Sequence, residues 1–468
     1  MKIIIAGAGA VGSHLAQLLS RDDQDTVVID ETPAKTEALT ESGNYDLMTV
    51  NLSPSSIAAM KEAGVQHADL FIAVTPDEGR NITCSILAHT LGAKKTVARV
   101  DNAEYVRPQY QELFRSMGID SLIYPEVLAA REILEGLKHS WVRQYWEIHD
   151  GALIMMGIKL RETARILDVP LRELCPPDAP YHIVTIKRGD KTIIPGGNDT
   201  LQLGDIAYFI TTRKQTELIR HLVGKEEYSD VKRVMVMGGG RISVNIAHLK
   251  PEWLDMKIVE QSEERCLQLN ELLENDDIVV IHGDGRDTET LTDEGIRKFQ
   301  AFAALTPETE TNILACLAAK RLGVRKTVAL VENMDYISMA EKLDIGTIIN
   351  KKVIAATHIY QMMLDADVTT MKSLTIAKAD VAEFVALEGS LITQKPIREQ
   401  RFPKGVTLGG LIRDKVGMPI NGNTLVQPGD SVVVFAIDGL IKKMDRFFRK
   451  PDDCIVKKIA KAMKKSED

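Results

Sequence analysis

The chain of 468 residues contains one segment twice, and this repeat limits the folds that it can adopt. Residues 71–100 read FIAVTPDEGRNITCSILAHTLGAKKTVARV, and residues 302–331 read FAALTPETETNILACLAAKRLGVRKTVALV, with 14 of these 30 positions identical. The same offset of 231 residues carries Gly7 onto Gly238. A constant register over so long a stretch indicates a tandem duplication of one structural unit.

Each half of the chain alternates short apolar runs with amphipathic segments, which predicts a doubly wound parallel sheet. The strands predicted in the first half are Lys2–Ala6, Thr26–Ile29, Leu47–Val50, Leu70–Val74, Thr96–Val100 and Ile119–Tyr124. After each such unit, β-like runs are broken by turns such as Gly204-Asp205 and Gly429-Asp430, which predicts a small β-rich α+β lobe. The expected fold class is α/β: two tandem Rossmann-like domains, each followed by a small lobe.

The repeat also sets the expected domain boundaries. They are a first Rossmann-like lobe at 1–120, a crossover helix at 121–144, a first small lobe at 145–226, a second Rossmann-like lobe at 231–348, a second crossover helix at 349–371, a second small lobe at 372–453 and a basic tail at 454–468.

Composition favours a soluble, cytoplasmic protein. The chain is 44% hydrophobic and 26% charged, and its formal net charge of −8 argues against a nucleic-acid partner. Five scattered cysteines without a CxxC pair indicate reduced thiols. No apolar run approaches the roughly 20 residues that a membrane helix needs.

A glycine-rich turn follows the first predicted strand and precedes a predicted helix, which is the setting that the GxGxxG motif requires. Its residues are Gly7, Ala8, Gly9, Ala10, Val11 and Gly12. In such a motif the first glycine allows the tight turn, the second lets a pyrophosphate approach the backbone, and the third lets the helix pack on the strand. The amides at the start of the helix favour phosphate charge.

Residues at three further strand ends belong to the same predicted site. Asp30 ends the second strand, where a carboxylate would bind the ribose hydroxyls and favour NAD(H) over NADP(H). Ala73, Val74 and Thr75 end the fourth strand, and Thr75-Pro76-Asp77-Glu78 reads as a capping box with Thr75 as N-cap. Arg99 ends the fifth strand, either as a solvated or salt-bridged arginine or as a phosphate ligand.

The second half carries an altered copy of this site. Its predicted residues are Gly238, Gly239, Gly240, Arg241, Ile242, Glu260 and Leu305. Ser243 replaces the third glycine, Glu260 takes the role of Asp30, and Leu330 stands opposite Arg99. The insert HLKPEWLD interrupts the first helix, which Pro251 is expected to end.

Groups for catalysis or metal binding are missing from the sequence patterns. A dehydrogenase needs an acid, a base or a polarising group over the nicotinamide. His67, His89 and His282 have no catalytic partner in sequence, and no metal-ligand spacing occurs. A sensor is favoured over an enzyme.

The segments MKIIIAGAGAVG, FIAVTPDEGRN, KKTVARV and RGDKTIIPGGNDTLQLGD resemble the regulator-of-potassium-conductance (RCK) family. The resemblance covers almost the whole chain. It implies a homotetrameric ring, paired through the helix near residues 125–134, that docks beneath a membrane potassium-translocating Trk subunit. It also implies NAD(H) as ligand, with ATP or ADP as further candidates. The family's nucleotide-binding residues carry over to Gly7, Gly9, Val11, Gly12, Asp30, Val74 and Arg99, and less well to Gly238, Gly240 and Glu260.

Two other functions stay open at this point. One is an NAD-dependent oxidoreductase with a duplicated fold. The other is a nucleotide sensor that acts on another cation transporter. The lysines of the tail are read either as a solvated helix end or as a contact with an anionic membrane surface.

Overall fold

The computed structural model describes residues 1–20, 24–41, 47–362, 368–374, 376–437 and 439–450. The chain divides into two compact units, one of Met1–Ala129 with Asn350–Met363 and one of Ala130–Ile349 with Leu364–Asp468. The tail predicted at 454–468 lies outside the described residues. Within the described part of the chain, no helix is both long and apolar enough to cross a membrane.

The first unit is built on six parallel strands in the order β3-β2-β1-β4-β5-β6. The strands are β1 (Lys2–Ala6), β2 (Asp25–Ile29), β3 (Met48–Val50), β4 (Leu70–Ala73), β5 (Thr96–Arg99) and β6 (Ser121–Ile123). The helices are α1 (Ala10–Ser20), α2 (Pro33–Glu41), α3 (Ile57–Glu62), α4 (Glu78–Thr90), α5 (Gln111–Ser116) and α6 (Pro125–Leu137), which continues into the second unit. The predicted doubly wound sheet is confirmed, and each predicted strand agrees with the observed one to within two residues.

The central strand β1 shows why the apolar runs in the sequence predict buried strands. Ile3, Ile4 and Ile5 are all fully buried. A parallel strand covered by helices on both faces reads as a continuous apolar run, and that is the pattern at the N-terminus of this chain.

The second unit begins with the first small lobe, an antiparallel sheet in the order β10-β9-β11-β8-β7. Its elements are β7 (Gln144–Ile148), β8 (Leu153–Lys159), α7 (Leu171–Leu174), β9 (Tyr181–Arg188), β10 (Lys191–Ile193), β11 (Ile206–Thr211) and α8 (Thr216–Leu222).

A second Rossmann-like lobe follows, with its parallel strands in the order β14-β13-β12-β15-β16-β17. Its elements are β12 (Arg233–Met237), α9 (Arg241–Leu249), β13 (Asp255–Glu260), α10 (Glu263–Leu272), β14 (Ile278–His282), α11 (Thr288–Asp293), β15 (Ala301–Ala304), α12 (Thr309–Arg321), β16 (Lys326–Leu330), α13 (Asp335–Lys342) and β17 (Thr347–Ile349). Helix α9 ends two residues before Pro251, as predicted.

The last elements are a helix and the second small lobe, whose antiparallel sheet has the order β18-β19-β22-β20-β21. They are α14 (Lys351–Gln361), β18 (Val368–Leu374), β19 (Ala379–Val385), β20 (Val406–Arg413), β21 (Val416–Pro419), β22 (Ser431–Ile437) and α15 (Ile441–Phe448). Helix α14 belongs to the first unit, where it packs against α1 and its Ala355 and Ala356 are fully buried.

The two small lobes lie close together inside the second unit. A Cβ atom on Gly409 would lie 3.0 Å from side-chain atoms of both Ile210 and Val184. A Cβ atom on Gly417 would lie 2.2 Å from the carbonyl oxygen of Ala152. At position 417, only glycine allows the two backbones to approach this closely.

The Gly-Asp turns of the two small lobes carry the same buried ion pair. The Arg188 guanidinium donates to both carboxylate oxygens of Asp205, at 2.9 and 2.7 Å. Arg413 does the same to Asp430, at 2.8 and 2.7 Å. Both aspartates are about 98% buried, so these bidentate bonds provide the charge compensation that a buried carboxylate needs. The duplication therefore extends to the detail of the turns.

Candidate nucleotide-binding site

The first candidate site lies at the carboxyl edge of the first sheet, where β1 and β4 are neighbours. In an open sheet of this strand order, the connections leave toward opposite faces at that point, and the resulting crevice is where such sheets bind ligands. The glycine turn joins β1 to α1 here, so the first amides of α1 lie at the same edge.

The three glycines of the turn have different surroundings. Gly7 has a φ of +109°, which side chains rarely adopt. A Cβ atom on Gly12 would lie 1.9 Å from the carbonyl oxygen of Gly7, so α1 can pack on β1 only with glycine there. A Cβ atom on Gly9 would have no atom within 4 Å. The packing of the protein itself therefore does not require glycine at position 9, and the space beside that residue is open.

Asp30 lies against the turn, at the end of β2. Its side chain is 9% exposed, and its two carboxylate oxygens accept hydrogen bonds from the amide of Ala8 at 2.7 Å and the amide of Thr32 at 2.9 Å. Each oxygen can accept a further hydrogen bond. The carboxylate is thus held in position with acceptor capacity for hydroxyl groups.

Thr75 does not cap the following helix, so the predicted capping box is wrong. Helix α4 begins at Glu78, and its N-cap is Asp77, whose side chain accepts from the amide of Arg80 at 2.7 Å. The amide and hydroxyl of Thr75 instead donate to Oδ1 of Asn81, at 2.8 and 2.7 Å. Both groups of Thr75 are therefore bonded to Asn81, and the helix begins three residues after Thr75.

Ala73 and Val74 of the predicted set lie along the same edge of the sheet. Ala73 and Val74 are buried, and the amide of Val74 donates to the carbonyl of Ala6 at 2.9 Å. A Cβ atom on Gly7 would lie 3.0 Å from the amide nitrogen of Thr75. The structure thus brings the end of β4 directly against the glycine turn.

Arg99 forms an ion pair, which was one of the two alternatives that the sequence left open, and its contact with a phosphate stays a prediction. Its side chain is 22% exposed and forms an ion pair with Asp101 at 3.2 Å. Its Nε atom is buried and has no hydrogen-bond partner among the described residues. A buried donor without a partner is costly, and a ligand phosphate or hydroxyl would remove that cost.

Asn81 is an important residue that sequence reasoning missed. It is 1% exposed, and its Nδ2 donates to the carbonyls of Thr75 at 3.0 Å and Arg99 at 2.9 Å. It thereby joins the ends of β4 and β5. Asn312 makes the same four bonds to Thr306 and Leu330, at 2.7–3.0 Å. The identity of Asn81 and Asn312 at the repeat offset was the available signal.

The second candidate site keeps the frame of the first. Gly238 has a φ of +98°. The Glu260 carboxylate accepts from the amides of Gly239 at 2.6 Å and Ser262 at 2.8 Å, as Asp30 does in the first lobe. Ser243 is accommodated because its hydroxyl donates to the carbonyl of Gly238 at 2.5 Å. A Cβ atom on Gly240 would have no neighbour within 4 Å.

Its lining differs from that of the first site. Exposed Arg241 begins α9, and buried Ile242 follows it. Leu305 directly follows β15, in the place of Val74, and the equivalent of Arg99 is Leu330, which is 3% exposed. Nε of Arg265 donates to the carbonyl of Gly239 at 2.9 Å. The equivalent helix of the first lobe, α2, contains no arginine that could make this contact. The second lobe thus keeps the carboxylate and loses the cation at the neighbouring strand end.

Comparison with known families identifies this fold. The TrkA-N domain matches residues 3–125 and again 234–351, and the TrkA-C domain matches residues 155–224 and 381–449. These matches cover well over half of the chain. The chain belongs to the TrkA family.

Members of the TrkA family align with it along nearly their whole length. It is 30% identical over 457 residues to the Trk system potassium uptake protein TrkA of Azorhizobium caulinodans, covering 96% of this chain and 99% of that protein. It is also 30% identical over 457 residues to the TrkA protein of Halomonas elongata, with the same coverage.

Solved structures show the same fold at lower identity. The GsuK RCK domain superimposes with a TM-score of 0.59 at 16% identity, covering 96% of this chain and 94% of that one. The GsuK channel bound to NAD superimposes with a TM-score of 0.57 at 17% identity, covering 96% of this chain and 78% of that one. The predicted RCK resemblance is confirmed at the level of the fold.

Proposed function

We propose that the protein is a non-enzymatic, nucleotide-responsive regulator of potassium uptake, and that its first Rossmann-like lobe binds NAD(H). The family supports the transport role, because the aligned relatives are Trk system potassium uptake proteins. The ligand is supported by the fold, since a GsuK channel bound to NAD is among the similar structures.

The observation that carries this proposal is the first glycine turn. The space at Gly9 is open, the carboxylate of Asp30 is held beside the turn, and a donor of Arg99 lacks a partner. These three features fit the parts of a dinucleotide. The pyrophosphate would lie against Gly9 and the first amides of α1, the ribose hydroxyls would bind Asp30, and Arg99 would donate to a phosphate.

Regulation would follow from a population shift. A ligand changes an equilibrium between two shapes only if it binds one of them more tightly. A homotetrameric ring that contacts a membrane potassium-translocating Trk subunit would pass the change on, and it would hold the protein in the cytoplasm at the inner face of the membrane. ATP and ADP are further candidate ligands for the same lobe.

Calorimetric titration of the full-length protein with NADH, NAD, ATP and ADP tests the proposal. A ligand that binds the folded chain also raises its apparent stability by mass action. We expect at least NADH or NAD to bind and to change potassium uptake in cells that lack the native regulator. The absence of binding by all four nucleotides, or the oxidation of NADH in the presence of a small substrate, would contradict the proposal.

Replacing Asp30 should weaken NADH binding. Asp30→Ala removes the proposed acceptor of the ribose hydroxyls, and a hydrogen bond to a charged group contributes about 1.5–3 kcal/mol. We therefore expect the Kd for NADH to rise roughly tenfold to a hundredfold, measured by calorimetry. The preference for NADH over NADPH should narrow as well. Glu260→Ala is the matched control in the second lobe, and an equal loss in both variants would count against the assignment.

Arg99 can be tested with the residue that the repeat itself supplies. Arg99→Leu copies Leu330 and removes the unpaired donor. NADH binding should weaken about tenfold or more, because a charge-assisted hydrogen bond is lost. Arg80→Leu is the control, since Arg80 forms its ion pair with Glu31 on the surface. If Arg99→Leu binds NADH as well as Arg80→Leu does, Arg99 does not contact the ligand, and its ion pair with Asp101 is its only role.

A further inference from the structure

A strongly cationic cavity of about 330 Å³ lies in the second unit. It is formed by residues around the start of the first small lobe, by the link between the first small lobe and β12, and by the segment from α12 to β16. Seven of its sixteen lining residues are lysine or arginine, and none is acidic. Lys326 is the first residue of β16, so the cavity is at the edge of the second sheet opposite to the glycine turn.

Three of the seven cations share one carboxylate just outside the lining. Arg143, Arg161 and Lys320 form ion pairs with Asp344, at 3.1 Å in the case of Lys320. Burial alone would raise the pKa of Asp344, but these three cations hold it well below its usual range. Asp344 therefore carries a full negative charge and balances one of its three partners.

The other four cations are Lys159, Lys225, Arg325 and Lys326, and none has a carboxylate within 4.0 Å among the described residues. Lys326 is 3% exposed, and its Nζ donates to the carbonyl of Val142 at 2.5 Å. Lys225 is 5% exposed, and its Nζ donates to the hydroxyl of Tyr228 at 3.2 Å. Arg325 donates to the carbonyl of Glu227 at 2.8 Å. These carbonyl and hydroxyl partners accept hydrogen bonds from the three cations, but they carry no negative charge that would balance them.

Charge without a counterion is expensive to bury. The cost is visible in the pKa of Lys326, which burial, with a smaller contribution from Arg143, lowers to about 7. Burial also lowers the pKa values of Lys159 and Lys225. A further donor lines the cavity, because the indole nitrogen of Trp141 is buried without a partner among the described residues.

The repeat provides an internal comparison. At the offset of 231 residues, Lys94 and Lys95 of the first lobe correspond to Arg325 and Lys326. Both first-lobe lysines are exposed, and Lys94 is paired with Asp69 at 2.8 Å. The same basic pair at the start of the equivalent strand is therefore exposed in one copy, whereas in the other copy Lys326 is buried and lines the cavity.

We infer that this cavity binds a multivalent anion of the phosphate class, as pyrophosphate or as the phosphate groups of a larger molecule. Guanidinium, ammonium and indole groups only donate hydrogen bonds, and phosphate oxygens only accept them. A cavity of about 330 Å³ has the size of a small-molecule site. The ligand would supply the negative charge that the surrounding chain lacks.

Calorimetric titration of the full-length protein with pyrophosphate tests this inference. We expect binding to the unaltered protein, and a Kd at least roughly tenfold higher in Lys159→Met and in Lys326→Met, since each removes a hydrogen-bond donor that can carry positive charge. Lys95→Met is the matched control from the first lobe and should bind pyrophosphate normally. Pyrophosphate should raise the unfolding temperature of the control and leave that of Lys326→Met nearly unchanged, which separates loss of the ligand from loss of the fold.

Two further experiments show whether the phosphate groups belong to a nucleotide or to a lipid. ADP is titrated into Gly9→Asp/Gly240→Asp protein, so that the glycine turns do not contribute, and phosphoinositide vesicles are tested by flotation. Binding in either arm that Lys326→Met weakens assigns the anion to a nucleotide or to a lipid headgroup. If pyrophosphate does not bind, or if Lys159→Met and Lys326→Met bind every probe as Lys95→Met does, the inference is wrong.

Discussion

Gly9→Asp should abolish NADH binding at the first lobe while the protein still folds. The new side chain would point into space where no atom lies within 4 Å of its Cβ, so the free protein can accept it. Its carboxylate would then occupy the position proposed for the pyrophosphate, where two like charges repel each other in a partly buried site. We expect calorimetry to show the loss of one class of NADH sites, and complementation to show the loss of nucleotide-dependent potassium uptake.

The matched variant is Gly240→Asp, because the Cβ position of Gly240 is equally open. Leu330 replaces the cation of the first site, and Arg265 contacts the turn, so the second lobe should contribute less to nucleotide binding. Gly240→Asp should therefore leave most of the response intact. A larger defect in Gly240→Asp than in Gly9→Asp would reverse this ranking of the two lobes.

Asn81→Ala should destabilise the first unit and loosen its crevice. The substitution leaves the amide of Thr75 and the carbonyls of Thr75 and Arg99 without their partner in a buried setting. An unsatisfied buried group costs about 1–3 kcal/mol, and the losses are not additive, so a decrease of roughly 2–5 kcal/mol in the free energy of unfolding is expected. Denaturant unfolding measures the decrease, and faster hydrogen exchange at the Thr75 amide would localise it.

Asn312→Ala makes the same change in the second lobe and serves as the comparison. Both variants should lose similar stability, because the two asparagines make the same four bonds. Only Asn81→Ala should also weaken NADH binding, since Asn81 holds the strand ends that carry Thr75 and Arg99. An unchanged exchange rate at Thr75 would show that the link between β4 and β5 does not depend on Asn81.

Much of the fold could be predicted from periodicity and the repeat. The apolar runs of the first half match β1 to β6 because parallel strands buried on both faces have few polar positions. The Gly-Asp turns were also readable, yet the ion pairs to Arg188 and Arg413 were not, since each partner lies 17 residues away on another strand.

The candidate site was predictable where the backbone itself demands a residue type. Gly7 is required because its φ is positive, and Gly12 is required because a Cβ atom there would lie 1.9 Å from the carbonyl oxygen of Gly7. Both requirements select glycine and therefore appear as a motif in the sequence. The role of Thr75 was predicted wrongly. Its side chain had two possible partners, the first amides of the following helix and the side chain of Asn81 six residues later. A local sequence pattern cannot show which of the two hydrogen bonds forms.

The sequence by itself therefore determined the duplication, the doubly wound sheets and the position of the glycine turns, because these depend on local spacing and on backbone conformation. Only the tertiary structure decided what the two copies do with the same residues. Lys95 and Lys326 occupy equivalent positions in the repeat, but Lys95 is exposed and Lys326 is buried against Val142. Burial and charge compensation depend on chain segments that are distant in sequence, and the second copy has neighbours that the first copy lacks.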